Sequence, residues 1–471
     1  MILLRRWGLD RNTVQTLVTS MVLQFVVLVS GVIAARMLGP LDRGNLALFW
    51  TITLVVSQVL ILGLPQAVTF EMAKYGWSAS TILRVLRFRV MVMTLVALAV
   101  QAILIIIIFG GDDRVESSAA LSLTAIPTII AYVFAVSALQ GQERFTQMNI
   151  ARLVPFAAYS LVLVIGVLMG EDSLFFVTSA WAGTYLVAAI WSIWMVFHGM
   201  PGEKSSAEEA TAGVDLPPGE KPLAGEIQLA GETQPVEAEI PIGTEMPVGA
   251  EVSAVEERPA GGPDANTMTR FGITGFLGAS PPTETFRPDQ LVVGLVLAPI
   301  TLGLYVAALS LTNLPRFLSL SVGLVAYPRI AALEDLTRIR PETWKYTGLG
   351  ALVAIVAALP MFFFAHQILS LFFGSDFAPA TLTVRILLLG APFIAARRVM
   401  GDCLRGADHP EAGTIAELAG WFWLIPALFI GASLDGIEGV AAALSSSFVI
   451  SLIVIVVLLE RFDLRISHAK S

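Results

Sequence analysis

The stretches LGPLDRGNLAL (38–48) and LAPITLGLYVA (297–307) decide how this chain is built. Leu38, Pro40 and Gly44 of the first recur as Leu297, Pro299 and Gly303 of the second, at an offset of 259. A further pair, LQGQERFTQMNIA (139–151) and LRGADHPEAGTIA (404–416), matches without a gap at its Leu, Gly, Ile and Ala ends, at an offset of 265. Two echoes at nearly one spacing mark an internal duplication, and a duplication fixes architecture before any single motif does. Each matched proline sits between apolar runs. Pro40 and Pro299 are therefore expected to stop one helix, while Gly39, Gly44 and Gly303 permit the close backbone return of a tight turn.

The duplicated material is membrane helix. Of 471 residues 56% are apolar and 14% charged, and the mean hydropathy is +0.77, a balance outside that of soluble domains. A span with its short loop takes roughly 33 residues, so the chain without its polar middle holds about twelve. Six are expected at 12–37, 44–64, 83–109, 117–138, 150–170 and 174–198, and six at 271–296, 302–326, 347–373, 379–400, 412–432 and 437–460. Six is even, so both halves cross in the same sense and are related by an axis along the membrane normal, which is a transporter design. The expected fold class is all-α: a polytopic membrane protein of two parallel six-helix repeats around a central cavity.

Residues 199–270 hold 14 Asp and Glu against 4 Lys and Arg. The segment 201–264 has no Trp, Tyr or Phe and repeats LAGE, so it lacks the apolar surface to offset its ordering entropy. It is expected to be a disordered acidic linker between an N-terminal lobe (1–198) and a C-terminal lobe (271–471), with a docking tail as the functional alternative. Lys and Arg gather at one end of the spans, including Arg84, Arg87, Arg89, Arg144, Arg338, Arg340 and Arg405, whereas Asp112, Asp172, Asp376 and Asp435 mark the other. The positive-inside rule then puts both termini in the cytoplasm. Arg36 and Arg43 count as loop residues at the outer end, and the short outer loops leave no room for a folded domain there. The single Cys403 and scattered His residues exclude disulfides and a cysteine-based metal site, and neither metal nor cofactor is expected.

The segments AARMLGPLDRGNLAL (34–48), FFGSDFAPATLTVRILLLGAPF (372–393), LRGADHPEAGTIAE (404–417) and GIEGVAAALSSSFVISLI (436–453) resemble bacterial polysaccharide biosynthesis proteins of the flippase type. These belong to the multidrug/oligosaccharidyl-lipid/polysaccharide exporter (MOP) superfamily. The resemblance implies a lobed bundle in the bacterial cytoplasmic membrane that moves polyprenyl-diphosphate-linked glycan from the inner to the outer leaflet. It implies membrane lipids and polysaccharide assembly proteins as partners, and no nucleic acid. A monomer is expected, because the cavity lies within one chain.

Polar groups at membrane depth are the candidate site. The seventh span carries SPPTETFRPDQ (280–290), and prolines with charge at that depth survive only against protein or water, so a broken helix lining the cavity is expected, with an exposed loop as the alternative. Arg287 in it, Arg316 in the eighth span and Arg385 in the tenth present planar forks suited to a diphosphate. Internal pairing of Arg287 with Glu284 or Asp289 is equally open. Gln24 lies on a polar face with Thr13, Thr16 and Ser20, and Gln58 lies in the second span; such groups hold sugar hydroxyls or simply join helices. His366 is read as structural rather than as a proton carrier.

No GxxxxGK[ST] loop or HExxH motif occurs, so the sequence gives no support to an ATP-driven pump. Two other functions compete with the flippase. A multidrug or cation antiporter predicts a cavity dominated by an acid such as Glu284 or Asp289. A membrane polymerase or ligase predicts catalytic groups on a sizeable outer loop, which is missing.

Overall fold

The computed structural model describes residues 11–198, 262–279, 286–331, 333, 336–407, 409 and 411–469, all helix, turn or short connection among the described residues. The 201–264 linker up to residue 261, and Glu284, lie outside the described residues. A bilayer core offers backbone amides no water, so each span must satisfy its own hydrogen bonds, as an α-helix does.

The run Arg11–Leu60 is two helices, because Gly39 adopts φ 69° and ψ 177° and reverses the chain. These are α1 (11–38) and the start of α2 (40–75), which breaks again where Leu62 and Gly63 turn left-handed. Pro40 opens its helix at the position where a missing N–H costs nothing. There follow α3 (Ala79–Phe109), α4 (113–141), α5 (Phe145–Met169) and α6 (Leu174–His198). In the second half, α7 has two described pieces, Ala265–Ala279 and 288–297, the latter ending in a π-helical turn before extended Ala298. Then come α8 (Pro299–Ala331), α9 (Ile339–Phe363), α10 (Thr381–Gly406), and α11 (411–434) and α12 (437–469), divided at Asp435 and Gly436. The fold is an all-α polytopic membrane bundle.

Several limits move. The seventh helix begins at 265 rather than 271, where Asp264 caps its first turn by accepting from the Thr267 N–H at 2.8 Å. The ninth span, expected to run to 373, ends at Phe363. The short helix Ala365–Phe372 after it carries exposed Leu371 and Phe372 on one side and buried Ala365 and Leu369 on the other. His366 is exposed there and not inside a span.

Both echoes are structural. Arg144 N–H donates to Leu139 O at 3.0 Å and His409 N–H to Leu404 O at 2.9 Å, which is one bond in two copies 265 residues apart. The matched glycines correct their expected role. Gly44 and Gly303 lie inside helices and make no turn. A Cβ on Gly44 would stand 1.6 Å from Pro299 O, and a Cβ on Gly303 1.9 Å from Pro40 O. The two copies of the motif therefore face each other across the pseudo-twofold axis with backbones touching, and glycine is required because any side chain would occupy the partner's carbonyl.

Large apolar side chains such as Ile107, Leu168 and Phe422 are more than two-thirds exposed on the outside of the bundle. Facing lipid, they need no cover.

Candidate functional site

The site lies along the seam where α1 and α2 meet α7 and α8. At the end holding the Gly39–Pro40 turn, the reciprocal glycine contacts close the seam. Exposed Arg36 at the end of α1 reinforces this, donating from Nε to Phe372 O at 2.8 Å and from Nη2 to Leu371 O. These are the carbonyls that a helix leaves unpaired at its C-terminus, where cationic donors are favoured. At the basic end, the first piece of α7 packs on the break in α2. A Cβ on Gly272 would meet Leu62 O at 2.8 Å, and the Phe70 and Phe271 rings stack at 4.5 Å. Arg89 of α3 grips the same turn through Ala265 O and Thr269 Oγ1, both at 2.5 Å, and Asn266 Oδ1.

Between these ends, three of the expected residues gather around Tyr305. Asp289 is buried and accepts from the Tyr305 hydroxyl at 2.9 Å. Arg287 and Arg316 both act electrostatically on that tyrosine. Arg316 sits eleven residues after Tyr305, about three turns along the same face of α8. Arg287, exposed at φ 44°, precedes the second piece of α7, and Gln290 beside it accepts from Thr51 Oγ1 at 2.9 Å, tying α7 to α2. The Arg316 Nη1 donates to Asn313 Oδ1 at 3.2 Å, and its guanidinium lies 5.8 Å from the Phe448 ring centre. It borders a cavity of about 10 Å³, room for a water molecule at most, shared with Arg397, Glu417, Ser447 and Ser451. Arg397 and Glu417 form an ion pair at 2.7 Å with side chains only 12% and 13% exposed.

Arg385 is engaged elsewhere. Its Nε donates to Phe362 O at 3.3 Å, and the guanidinium lies 5.7 Å from that ring, at the end of α9. Gln24 and Gln58 are half-buried on α1 and α2. Gln15, near the start of α1, accepts from Thr146 of α5 at 3.2 Å, the helix-joining use of this polar face.

Arg43 was counted from the sequence as an outer loop residue, and the structure corrects this. Because α2 starts at Pro40 and not at 44, Arg43 falls inside the helix and is only 6% exposed. The signal was present in the proline, which favours the first turn of a helix, but Asp42 and Arg43 lower the local hydropathy and delay the apparent start. Tyr305 and Thr51 carry no mark in the sequence, and Arg89 and Arg397 read there only as charges at the basic end, because what sets each apart is a partner distant in the chain.

No family model and no curated protein matches the chain in sequence. Solved structures do match in shape. The structure described as lipid II flippase MurJ in an inward closed conformation superposes with a TM-score of 0.65 over 95% of this chain and 87% of that one, at 11% identity. The fold is that of MOP-superfamily transporters. A multidrug resistance MATE transporter of the MOP superfamily in an inward-facing conformation aligns at a TM-score of 0.66 and 12% identity, over 98% of this chain and all of that one. A Pyrococcus furiosus MOP-superfamily transporter described as having reversed binding-pocket polarity aligns at 0.58 and 11% identity, over 97% and 95%. The MOP fold thus accommodates both flippases and drug exporters.

Proposed function

We propose that the protein is a flippase that translocates polyprenyl-diphosphate-linked oligosaccharide, a surface polysaccharide precursor, across the bacterial cytoplasmic membrane by alternating access. The observation that carries this reading is the sign of the charge along the seam. Arg43 is buried with no carboxylate paired to it among the described residues, and Arg287 and Arg316 lie within electrostatic reach of Tyr305, whose hydroxyl donates to the buried Asp289. The buried Arg43 guanidinium favours an anionic cargo and opposes a cationic one through the desolvation it would demand. The resemblance of its segments to polysaccharide flippases supports the same cargo class, while the shape is shared with a lipid II flippase and with multidrug exporters alike.

In this mechanism the diphosphate enters from the basic, cytoplasmic end, the glycan passes through a hydrated cavity that opens between the halves and the polyprenyl tail stays in lipid. Residues 1–198 rock against 271–471 while 199–270 links them on the cytoplasmic side. Cargo shifts the equilibrium only as far as it binds one state better than the other. The chain works as a monomer beside polysaccharide assembly proteins.

The test is complementation of a null strain in the native host with wild type, Arg287→Ala, Arg316→Ala and Arg385→Ala at matched membrane levels, scored as surface polysaccharide. Restoration by wild type and loss with Arg287→Ala or Arg316→Ala supports the reading. Normal polysaccharide in the null strain with new sensitivity to cationic drugs would replace it by the antiporter, in which Asp289 is the cation-facing acid.

A further inference from the structure

Arg43 is a cation buried at the seam with no carboxylate to neutralise it among the described residues. Its side chain is 6% exposed, and Nε is fully buried without an acceptor. The adjacent Asp42 is turned to the Asn45 amide, 3.3 Å away. A guanidinium does not escape by deprotonating, and an uncompensated buried charge is among the most costly features a fold can hold.

Two more unpartnered donors lie beside it. The Tyr159 hydroxyl of α5 is buried without a hydrogen-bond partner and within electrostatic reach of Arg43. The Trp50 indole Nε1 of α2 is likewise buried without a partner, and its ring lies 5.6 Å from that of Tyr159. Trp50 follows Arg43 by seven residues, about two turns, so both project from one face of α2. Arg43 and the Trp50 indole can only donate and the Tyr159 hydroxyl can donate as well as accept, so an anion set among them would meet three donors.

The position of the guanidinium puts that anion on the path between the halves. A Cβ on Gly31 of α1 would lie 3.9 Å from Arg43 Nη2 and 3.8 Å from Ser310 Oγ of α8. Gly31 is seven residues before the end of α1, about 10 Å along the axis, so the arginine reaches from the closed end toward the membrane interior. A side chain larger than a methyl group at Gly31 would therefore press on the fork.

We propose that Arg43, Tyr159 and Trp50 form an oxyanion site for a phosphate-class group, held at the seam between the two halves. Ion-pair and bidentate geometry make such an oxyanion the natural complement of the fork, with the hydroxyl and indole as further donors. The site is independent of which glycan is carried. If the flippase reading holds, it is where the diphosphate rests after leaving the Arg316 region.

The test uses the full-length protein in phosphatidylcholine nanodiscs, with unfolding temperature followed during addition of inorganic pyrophosphate at constant ionic strength. Parallel discs contain polyprenyl diphosphate or phosphatidylglycerol instead. Wild type is expected to be stabilised saturably, with the midpoint at least about tenfold weaker in Arg43→Gln and weakened in Tyr159→Phe and Gly31→Val. Without anion, Arg43→Met is expected to melt at or above wild type, because the uncompensated cation is gone. A response to pyrophosphate assigns a soluble anion, and a response only to polyprenyl diphosphate or only to phosphatidylglycerol assigns the corresponding lipid headgroup. No saturable response in any disc, an unchanged midpoint in Arg43→Gln, or an Arg43→Met protein that melts well below wild type overturns the proposal. An Arg43-dependent response in a protein whose null strain makes normal surface polysaccharide would keep the anion site and remove the flippase reading.

Discussion

Replacing Gly44 or Gly303 by alanine tests the duplicated contact directly. The added Cβ would stand 1.6 Å from Pro299 O in one case and 1.9 Å from Pro40 O in the other, whereas such contacts do not close below 3.0 Å. In both cases the obstacle is backbone, so no side chain can swing aside. Helices α2 and α8 must instead retreat by more than 1 Å. Overpacking of this kind costs about 1–3 kcal/mol. At the usual unfolding entropy of about 2 cal/mol/K per residue, that is about 1–3 °C in a chain of this length. The two sites share one seam, and once the helices have moved apart for one methyl group, the second finds most of its space made. The double variant should therefore lose clearly less than the sum of the single losses, with a coupling of at least about 0.5 kcal/mol. The assay is the unfolding temperature of the purified protein in nanodiscs, read as a double-mutant cycle, with cross-linking of α2 to α8 as a measure of seam distance. Neutral single variants, or losses that add strictly, would refute the reciprocal contact.

Other outcomes follow from the same geometry. Glu417→Gln leaves Arg397 and Arg316 uncompensated around the small cavity and should cost about 3–5 kcal/mol, while Arg397→Met with Glu417→Leu should be nearly neutral; equal melting of Glu417→Gln and wild type would contradict this. Removing Arg89 deletes charged hydrogen bonds to the start of α7, each worth about 1.5–3 kcal/mol. In Arg89→Ala, amide exchange over 265–279 should accelerate at least tenfold with little change in α3, and unaltered exchange would show that the grip is idle. Hydrogen bonds from Thr267 hold the exposed Asp264 carboxyl below its usual range. A lowered folded value means that the cap contributes above the ordinary carboxylate range and is lost as pH falls through the folded value. Protection of the Thr267 amide should accordingly decline in acid in wild type and be low and pH-independent in Asp264→Ala.

Apolar runs long enough to cross a bilayer as helices, together with the two echoes, were enough to determine an all-α membrane bundle, because a helix satisfies its own backbone within each run where no water reaches. Of SPPTETFRPDQ (280–290) only its end is described, where Pro288 opens the second piece of α7, while the first piece ends at Ala279. The partners of the buried groups were not legible. Gly44 reads as a turn residue until Pro299 is found against it, 255 positions away. Arg316 and Arg385 read alike as spans interrupted by charge, yet one faces Tyr305 and a water-sized cavity while the other caps the end of α9. Arg43 reads as a loop charge because hydropathy averages over neighbours, whereas burial is decided by which helix lies opposite. A sequence specifies where its helices run through the local balance of apolar and polar groups. Which charges remain unpaired along the seam was decided only by the packing of one half against the other, through contacts whose energies depend on distance in space.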